Sequence, residues 1–225
     1  MASPLKPYVG PLTPDQIAAG IAAAQANALR LIDDAALLLE ADRYQSATAL
    51  AILAMEERGK VIILKRLALV REPSDIKAVW REYRSHRAKN AGSILPELVR
   101  QGARTMSAMA SAVDAKAEHT GLLDAVKQIS FYTDCLGDRH WSIPSEVVDP
   151  DLARAMLQSA KMMWGSHPVT AREVELWGEI VGPHYGQSTM VSAVVGWQKA
   201  MLTEGLSDTQ PEELEAFMRG QTVAL

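Results

Sequence analysis

Thr13-Pro14-Asp15-Gln16-Ile17-Ala18-Ala19-Gly20-Ile21 opens the stretch that decides the fold. Thr13 is an N-cap residue type, Pro14 suits the first helical position because its missing N–H is unpaired there anyway, and Gln16 can reach back to close a capping box. Downstream, Ile17, Ile21, Ala24, Ala28, Leu31, Ala35 and Leu38 recur at three- and four-residue spacing, which gathers them on one face. The pattern predicts a helix to about Glu40, and its alanines predict close approach of a neighbour. Asp42-Arg43 is short enough for a tight connection, and Tyr44 to Leu69, rich in Ala, Leu and Ile, reads as a second long helix. Two long helices joined in this way lie antiparallel.

Outward from this pair the helical pattern continues in shorter pieces. Glu72-Pro73-Ser74 interrupts it, since proline cannot donate in a helix interior, and Ser74 can cap a third helix over Asp75 to about Lys89. Asn90-Ala91-Gly92-Ser93 is a turn signal, followed by a helix from Ser93 toward Ala117 and, after Gly121, another from Leu122 to about Leu136. Gly137 to Trp141 and Pro144 read as loop. Asp149-Pro150 opens a helix through Met163, and a Thr170/Glu173 capping box starts one that stops before Pro183. Residues 187–204 and Pro211 to Arg219 complete the set, with no internal repeat and no useful β-alternation. The expected fold is all-α, an antiparallel helical bundle over residues 12–145 with additional C-terminal helices, residues 146–225, packed on it.

Composition bounds the function. Of 225 residues, 48% are hydrophobic and 22% charged, the profile of a folded globular chain. The net charge of -4 argues against bulk attraction to nucleic acid, so any phosphate-binding surface is local. Lys77, Arg81, Arg84, Arg87 and Lys89 supply such a patch. The single cysteine, Cys135, forms no internal disulfide, and it is expected to pack near Phe131. The absence of a leader-like N-terminus points to the cytoplasm. Charges interrupt every apolar run short of a bilayer span, so no membrane association is expected.

Two segments carry chemistry. Glu56-Glu57-Arg58-Gly59-Lys60 places Glu56 four residues after Ile52, close to the buried stripe, with Lys60 on its own face. A carboxylate there needs partners, which suggests a polar network of Asn27, Asp34, Glu56, Glu57 and Lys60 at the bundle seam. Gly59 in a helix interior is unfavourable unless a neighbour approaches closely. The second segment is Arg81-Glu82-Tyr83-Arg84-Ser85-His86-Arg87. An arginine can clamp a phosphate while a histidine moves protons, which together support metal-independent RNA cleavage through the 2'-hydroxyl. On one ideal helix Arg81 and His86 lie about 140° apart and Arg84 and His86 about 160°, so convergence needs a distorted helix or a second subunit. The plain reading is a solvated basic face with His86 paired to Glu82. Lys77, Trp80, Arg87 and Lys89 are candidate RNA contacts, Trp80 by stacking; the other tryptophans read as core or seam anchors. Asp34, Glu56, Glu57, Glu82 and His86 contain metal-type donors, but no Glu-x-x-His, His-x-x-x-His or Cys-x-x-Cys spacing is present, and no metal or other cofactor is expected.

The run Asn27-Ala28-Leu29 to Asp34-Ala35, Tyr44, Thr48 to Ala54, Glu56-Glu57-Arg58-Gly59-Lys60 and Trp80 to Lys89 with Ser85-His86-Arg87-Ala88-Lys89 resembles the AbiV family of abortive-infection proteins. Phe131-Tyr132-Thr133-Asp134 and Trp141-Ser142-Ile143-Pro144 continue the likeness. That family is placed in the HEPN superfamily of helical bundles, many of whose members are metal-independent RNases acting as dimers in antiphage systems. The resemblance implies a HEPN-like bundle, Arg81, Glu82 and His86 as the catalytic arginine, polar residue and histidine, and Arg84 as a second candidate for the arginine beside the family-typical Ser85-His86-x-x-Lys89. It also implies a homodimer with RNA as substrate and a phage protein as a further partner. The alternative is a non-catalytic helical sensor or protein-interaction module in phage defence.

Overall fold

The chain, described over residues 6–163 and 168–221 in a computed structural model, begins its helices where the sequence signals them. In α1 (Pro14–Glu40) Thr13 Oγ1 accepts the Gln16 backbone N–H while the Gln16 side chain accepts that of Thr13, the expected capping box. The chain reverses at Asp42, which adopts a left-handed φ of 57°, and α2 (Tyr44–Leu67) packs along α1. Ala28, Ala35, Ala47, Ala51 and Ala54 are fully buried, and their small side chains let the two backbones come close. At one end Leu31, Ile32 and Ala35 meet Ile52 and Met55, together with Leu157 and Ala160 of α8 (Pro150–Met162). At the other, Ile17 and Ile21 meet Leu64, Ala68 and Val174 of α9 (Ala171–Leu176). A third cluster joins Ile63 and Leu67 to Ile76, Val79 and Trp80 of α3 (Pro73–Arg84). The result is an all-α bundle centred on α1 and α2, and among the described residues no helix is long and apolar enough to cross a membrane.

Several boundaries differ from expectation for identifiable reasons. The third helix starts at Pro73 behind Glu72 rather than behind Ser74, and it stops at Arg84. Ser85 is extended (φ -84°, ψ 124°) and caps a separate short helix, α4 (His86–Asn90), its hydroxyl accepting the Ala88 N–H at 3.4 Å. The long helix expected over 93–117 is a 3₁₀ turn (Ala91–Ile94), α5 (Leu95–Arg100) and a second 3₁₀ segment (Ser107–Val113). Pro96 is confined to the first turn of α5, and Gly102, at φ 91°, ends it. α6 (Glu118–Phe131) starts before Gly121 and ends before Leu136. The expected loop at 137–141 belongs to an antiparallel hairpin, β1 (Asp134–Leu136) and β2 (His140–Ser142), with Cys135 opposite Trp141 and positive φ at Gly137 and Arg139 in the turn. Trp141 is 63% exposed and is no core anchor; Cys135 is exposed too.

α7 (Pro144–Val147) leads into α8. The Thr170/Glu173 capping box forms as expected, but the helix it starts continues through a π-helical turn, Trp177–Val181, and a 3₁₀ turn, Gly182–His184, past Pro183. α10 (Met190–Thr203) and α11 (Pro211–Met218) pack back through Val194, Trp197 and Leu214 against Leu69 and Trp177. Trp164 and His167, read in the sequence as an anchor and a loop histidine, lie outside the described residues.

Candidate functional site

Gly59 is the point from which the site is built. A Cβ on Gly59 would sit 1.9 Å from the backbone oxygen of Lys89, so α4 crosses α2 at a distance only glycine permits. Because Ser85 breaks the preceding helix and caps α4, His86 enters its first turn directly over Glu56 of α2, with Lys89 one turn further along. α6 closes the group from the other side with Asp124 and Lys127. The angular separation expected for one continuous helix over Arg81–His86 therefore does not apply.

Glu56 is 2% exposed, and three nitrogen donors surround its carboxylate. Lys127 Nζ donates to Oε1 at 2.6 Å, Lys89 Nζ lies 2.9 Å from Oε2, and His86 Nδ1 lies 2.7 Å from the same Oε2. Lys127 Nζ also stands 2.9 Å from Asp124 Oδ1, a charge contact whose direction falls short of a hydrogen bond, and 3.0 Å from His86 Nδ1. Burial pushes the Glu56 carboxyl up, but hydrogen bonds from Lys127, Lys89 and His86 outweigh it and hold the group below the usual carboxylate range. Burial likewise pulls Lys127 down, and the Glu56 and Asp124 carboxylates more than reverse it. Asp124 follows Glu56, desolvated but lowered by Lys127 and by the nearby His86 and Arg87.

The contacts assign the histidine tautomer. An imidazole lone pair facing a carboxylate oxygen at 2.7 Å would be repelled, so Nδ1 carries a hydrogen and donates it to Glu56, and the approach of Lys127 to the same nitrogen is proximity without a bond. Nε2 of the neutral ring is then an unprotonated base. The His86 side chain is 49% exposed, whereas those of Lys89 and Lys127 are 9% and 5% exposed. Asp124 is 32% exposed, so the imidazole is the most open member of the group.

The remaining expected site residues are dispersed. Arg81 is exposed and lines a shallow depression with Ala78, Glu82 and Ser85. Glu82 forms an ion pair with Arg66, so it does not partner His86 as the plain reading supposed. Arg84 stacks over the Trp80 ring at 5.1 Å and donates to the backbone oxygens of Trp80 and Tyr8, which ties the N-terminal segment to α3. Trp80 is 8% exposed, and its indole N–H donates to Gly10 O at 2.8 Å; it has no free face for a base. Lys77 and Arg87 are exposed, and Arg87 lies against Gly121 of α6. Lys89, expected on the same basic face, points inward to Glu56. The seam network is smaller than expected: Asn27 and Asp34 both bond Arg30 on the outer side of α1, and Lys60 pairs with Glu57 rather than Glu56.

Lys127 and Asp124 were missed in the sequence, although Thr120, Lys127 and Ser130 recur on the buried face of α6 and mark a lysine turned inward. Glu56, His86 and Asp124 place donor atoms within 4.8 Å of one another, a spacing suited to a metal ion. The Lys127 ammonium already occupies that space, within 3.0 Å of all three, so the set is matched to an internal cation.

The all-α bundle belongs to the HEPN class, as its match to a HEPN family model shows. More narrowly, the chain belongs to the AbiV family: that family's model matches residues 16–165, from the start of α1 past the end of α8. Membership carries a role in abortive infection, a form of phage defence. No curated protein and no solved structure matches the chain.

Proposed function

We propose that the protein is a metal-independent endoribonuclease of phage defence in which His86 moves the protons. The observation that carries this reading is the half-exposed imidazole whose Nδ1 is fixed by a buried carboxylate, the arrangement that orients a general base. Glu56 acts as a positioning residue, and Lys127 and Lys89 hold Glu56 ionised. In this reaction Nε2 takes the proton of an RNA 2'-hydroxyl, the oxygen attacks the adjacent phosphorus, and the 5'-oxygen leaves as the imidazolium returns a proton. The products carry a 2',3'-cyclic phosphate and a 5'-hydroxyl. Exposed Arg81 and Arg87 are the cations suited to the phosphate, Arg84 being committed to Tyr8 and Trp80. A homodimer, in which a second copy brings its own arginine to the groove, completes the site.

The test is cleavage of RNA by purified protein in EDTA. His86 makes one hydrogen bond from a half-exposed position, so His86→Ala costs only about 1–2 kcal/mol and remains folded. Cleavage by the wild type and none by the folded variant supports the reading; equal cleavage, or none by either across RNA types, removes it. The commitment of Glu82 and Arg84 to structural contacts favours a second reading, a non-catalytic sensor that binds a phage protein. A folded His86→Ala protein that still protects cells from phage supports that reading.

A further inference from the structure

Large apolar side chains stand in water over residues 131–147, at the end of α6, along the β1–β2 hairpin and on α7. Phe131, Tyr132, Leu136, Trp141, Ile143 and Val147 are each between 39% and 63% exposed. Single apolar side chains on a surface need no explanation, but six in one short segment make a patch that does. The Phe131 and Tyr132 rings lie with centroids 6.1 Å apart, and Trp141 stands opposite Cys135 across the hairpin. Because side chains alternate along a strand, Trp141 and Leu136 point to opposite faces, so both faces of the hairpin carry apolar surface. None of the six belongs to the ion-pair group around Glu56.

Area and position select what covers the patch. At these exposures the three aromatic and three aliphatic side chains leave roughly 500 Å² of apolar surface in water. A standard interface covers about 800 Å² of each partner, about 65% of it apolar in homodimers, so the patch supplies the apolar share of one such contact. The patch also begins beside the histidine. Phe131 follows Lys127 by four residues on α6, one turn or about 6 Å along the axis, and Lys127 Nζ stands 3.0 Å from His86 Nδ1. A second copy seated here brings its own His86 to the same side of the contact. Asp138 and Arg139, exposed at the hairpin tip, have opposite signs, so the face is compatible in charge with its own copy.

We propose that residues 131–147 are the contact surface of a twofold homodimer, with Tyr132 and Trp141 as its central apolar anchors. The choice of a second copy as the occupant rests on the nuclease reading, whose groove needs one; the patch itself does not.

Sedimentation velocity of the full chain over a micromolar concentration series tests the proposal. The wild type is expected to sediment as a dimer, and Tyr132→Lys and Trp141→Lys are each expected to weaken association by at least about tenfold. Both side chains are more than half exposed in the protomer, so the variants fold. Leu37→Lys, an equally exposed position on α1 outside the patch, should associate as the wild type does. The Cys135 thiol, exposed on β1 opposite Trp141, gives a second readout: N-ethylmaleimide should label it several-fold more slowly in the dimer than in the Trp141→Lys monomer. A wild type that stays monomeric throughout the series overturns the proposal, as does a dimer whose affinity and Cys135 labelling are unchanged in both lysine variants. A monomer that binds an oligoribonucleotide and loses it on Trp141→Lys assigns the face to RNA and overturns the proposal too. No RNA enters the sedimentation experiment, so a dimer through this face without cleavage removes the nuclease reading alone, and cleavage by a monomer removes this one alone.

Discussion

Replacing Gly59 with alanine distinguishes this structure from a generic helix packing most sharply, because the two give opposite signs. In an ordinary helix interior Gly→Ala stabilises by about 1 kcal/mol through backbone entropy. Here the new Cβ would lie 1.9 Å from Lys89 O, 2.7 Å from its carbonyl carbon and 2.8 Å from its Cα, all backbone atoms that no rotamer change can move aside. Ordinary contact begins near 3.4 Å, so α4 must retreat by about 1.5 Å. That displacement stretches the 2.9 Å Lys89–Glu56 and 2.7 Å His86–Glu56 contacts beyond hydrogen-bond range. Overpacking alone costs about 1–3 kcal/mol, and weakened pairing of a buried carboxylate adds to it, so a net loss of about 2–4 kcal/mol is expected in urea unfolding monitored by circular dichroism. A Gly59→Ala protein as stable as the wild type or more so would refute the close crossing, and with it the placement of His86.

Glu56→Ala strands the Lys127 and Lys89 ammoniums in a buried site and should lower stability by about 3–5 kcal/mol in the same assay, far more than Glu82→Ala, whose partly exposed pair with Arg66 is worth under about 1 kcal/mol. Because the Glu56 and Asp124 carboxyls are lowered by folding, their contribution is complete above the unfolded value near 4.5 and 3.8 and disappears as pH falls through the lower folded values; the wild type should lose stability in acid below about pH 4.5, and Glu56→Ala should lose less over that range. Lys127 has the opposite sign: raised by folding, it stabilises fully below about pH 10.5 and loses that contribution as pH rises through the folded value, so Lys127→Met should lose less stability than the wild type as pH rises above about 10.5.

The two long helices were legible because α1 carries its own start signal, α2 follows a tight turn, and both are long and rich in apolar residues, so local physics suffices for them. The break at Ser85 was not, since its neighbours are polar on both sides and periodicity offers no contrast there; only the serine three residues before Ala88 marks a new cap. The hairpin at 134–142 is too short to show alternation and exposes most of its side chains. At the site, Glu56 and Gly59 stood out because each is out of place on a buried helical face, one by charge and one by missing side chain. Lys127 and Asp124 lie some 70 residues further along the chain, and an inward lysine looks like an outward one until the partner is known. Glu82 and Arg84 show the converse: adjacency in sequence to His86 suggested shared chemistry, while the folded chain commits both to other elements.

The claim on which the rest depends is that buried Glu56 fixes the His86 ring with its hydrogen on Nδ1 and leaves Nε2 as a base facing solvent. A long-range proton–nitrogen correlation spectrum of the imidazole at neutral pH reads this directly. For the neutral form of the ring the account predicts the hydrogen on Nδ1, contrary to the tautomer that free histidine prefers; a neutral ring with its hydrogen on Nε2 would contradict it.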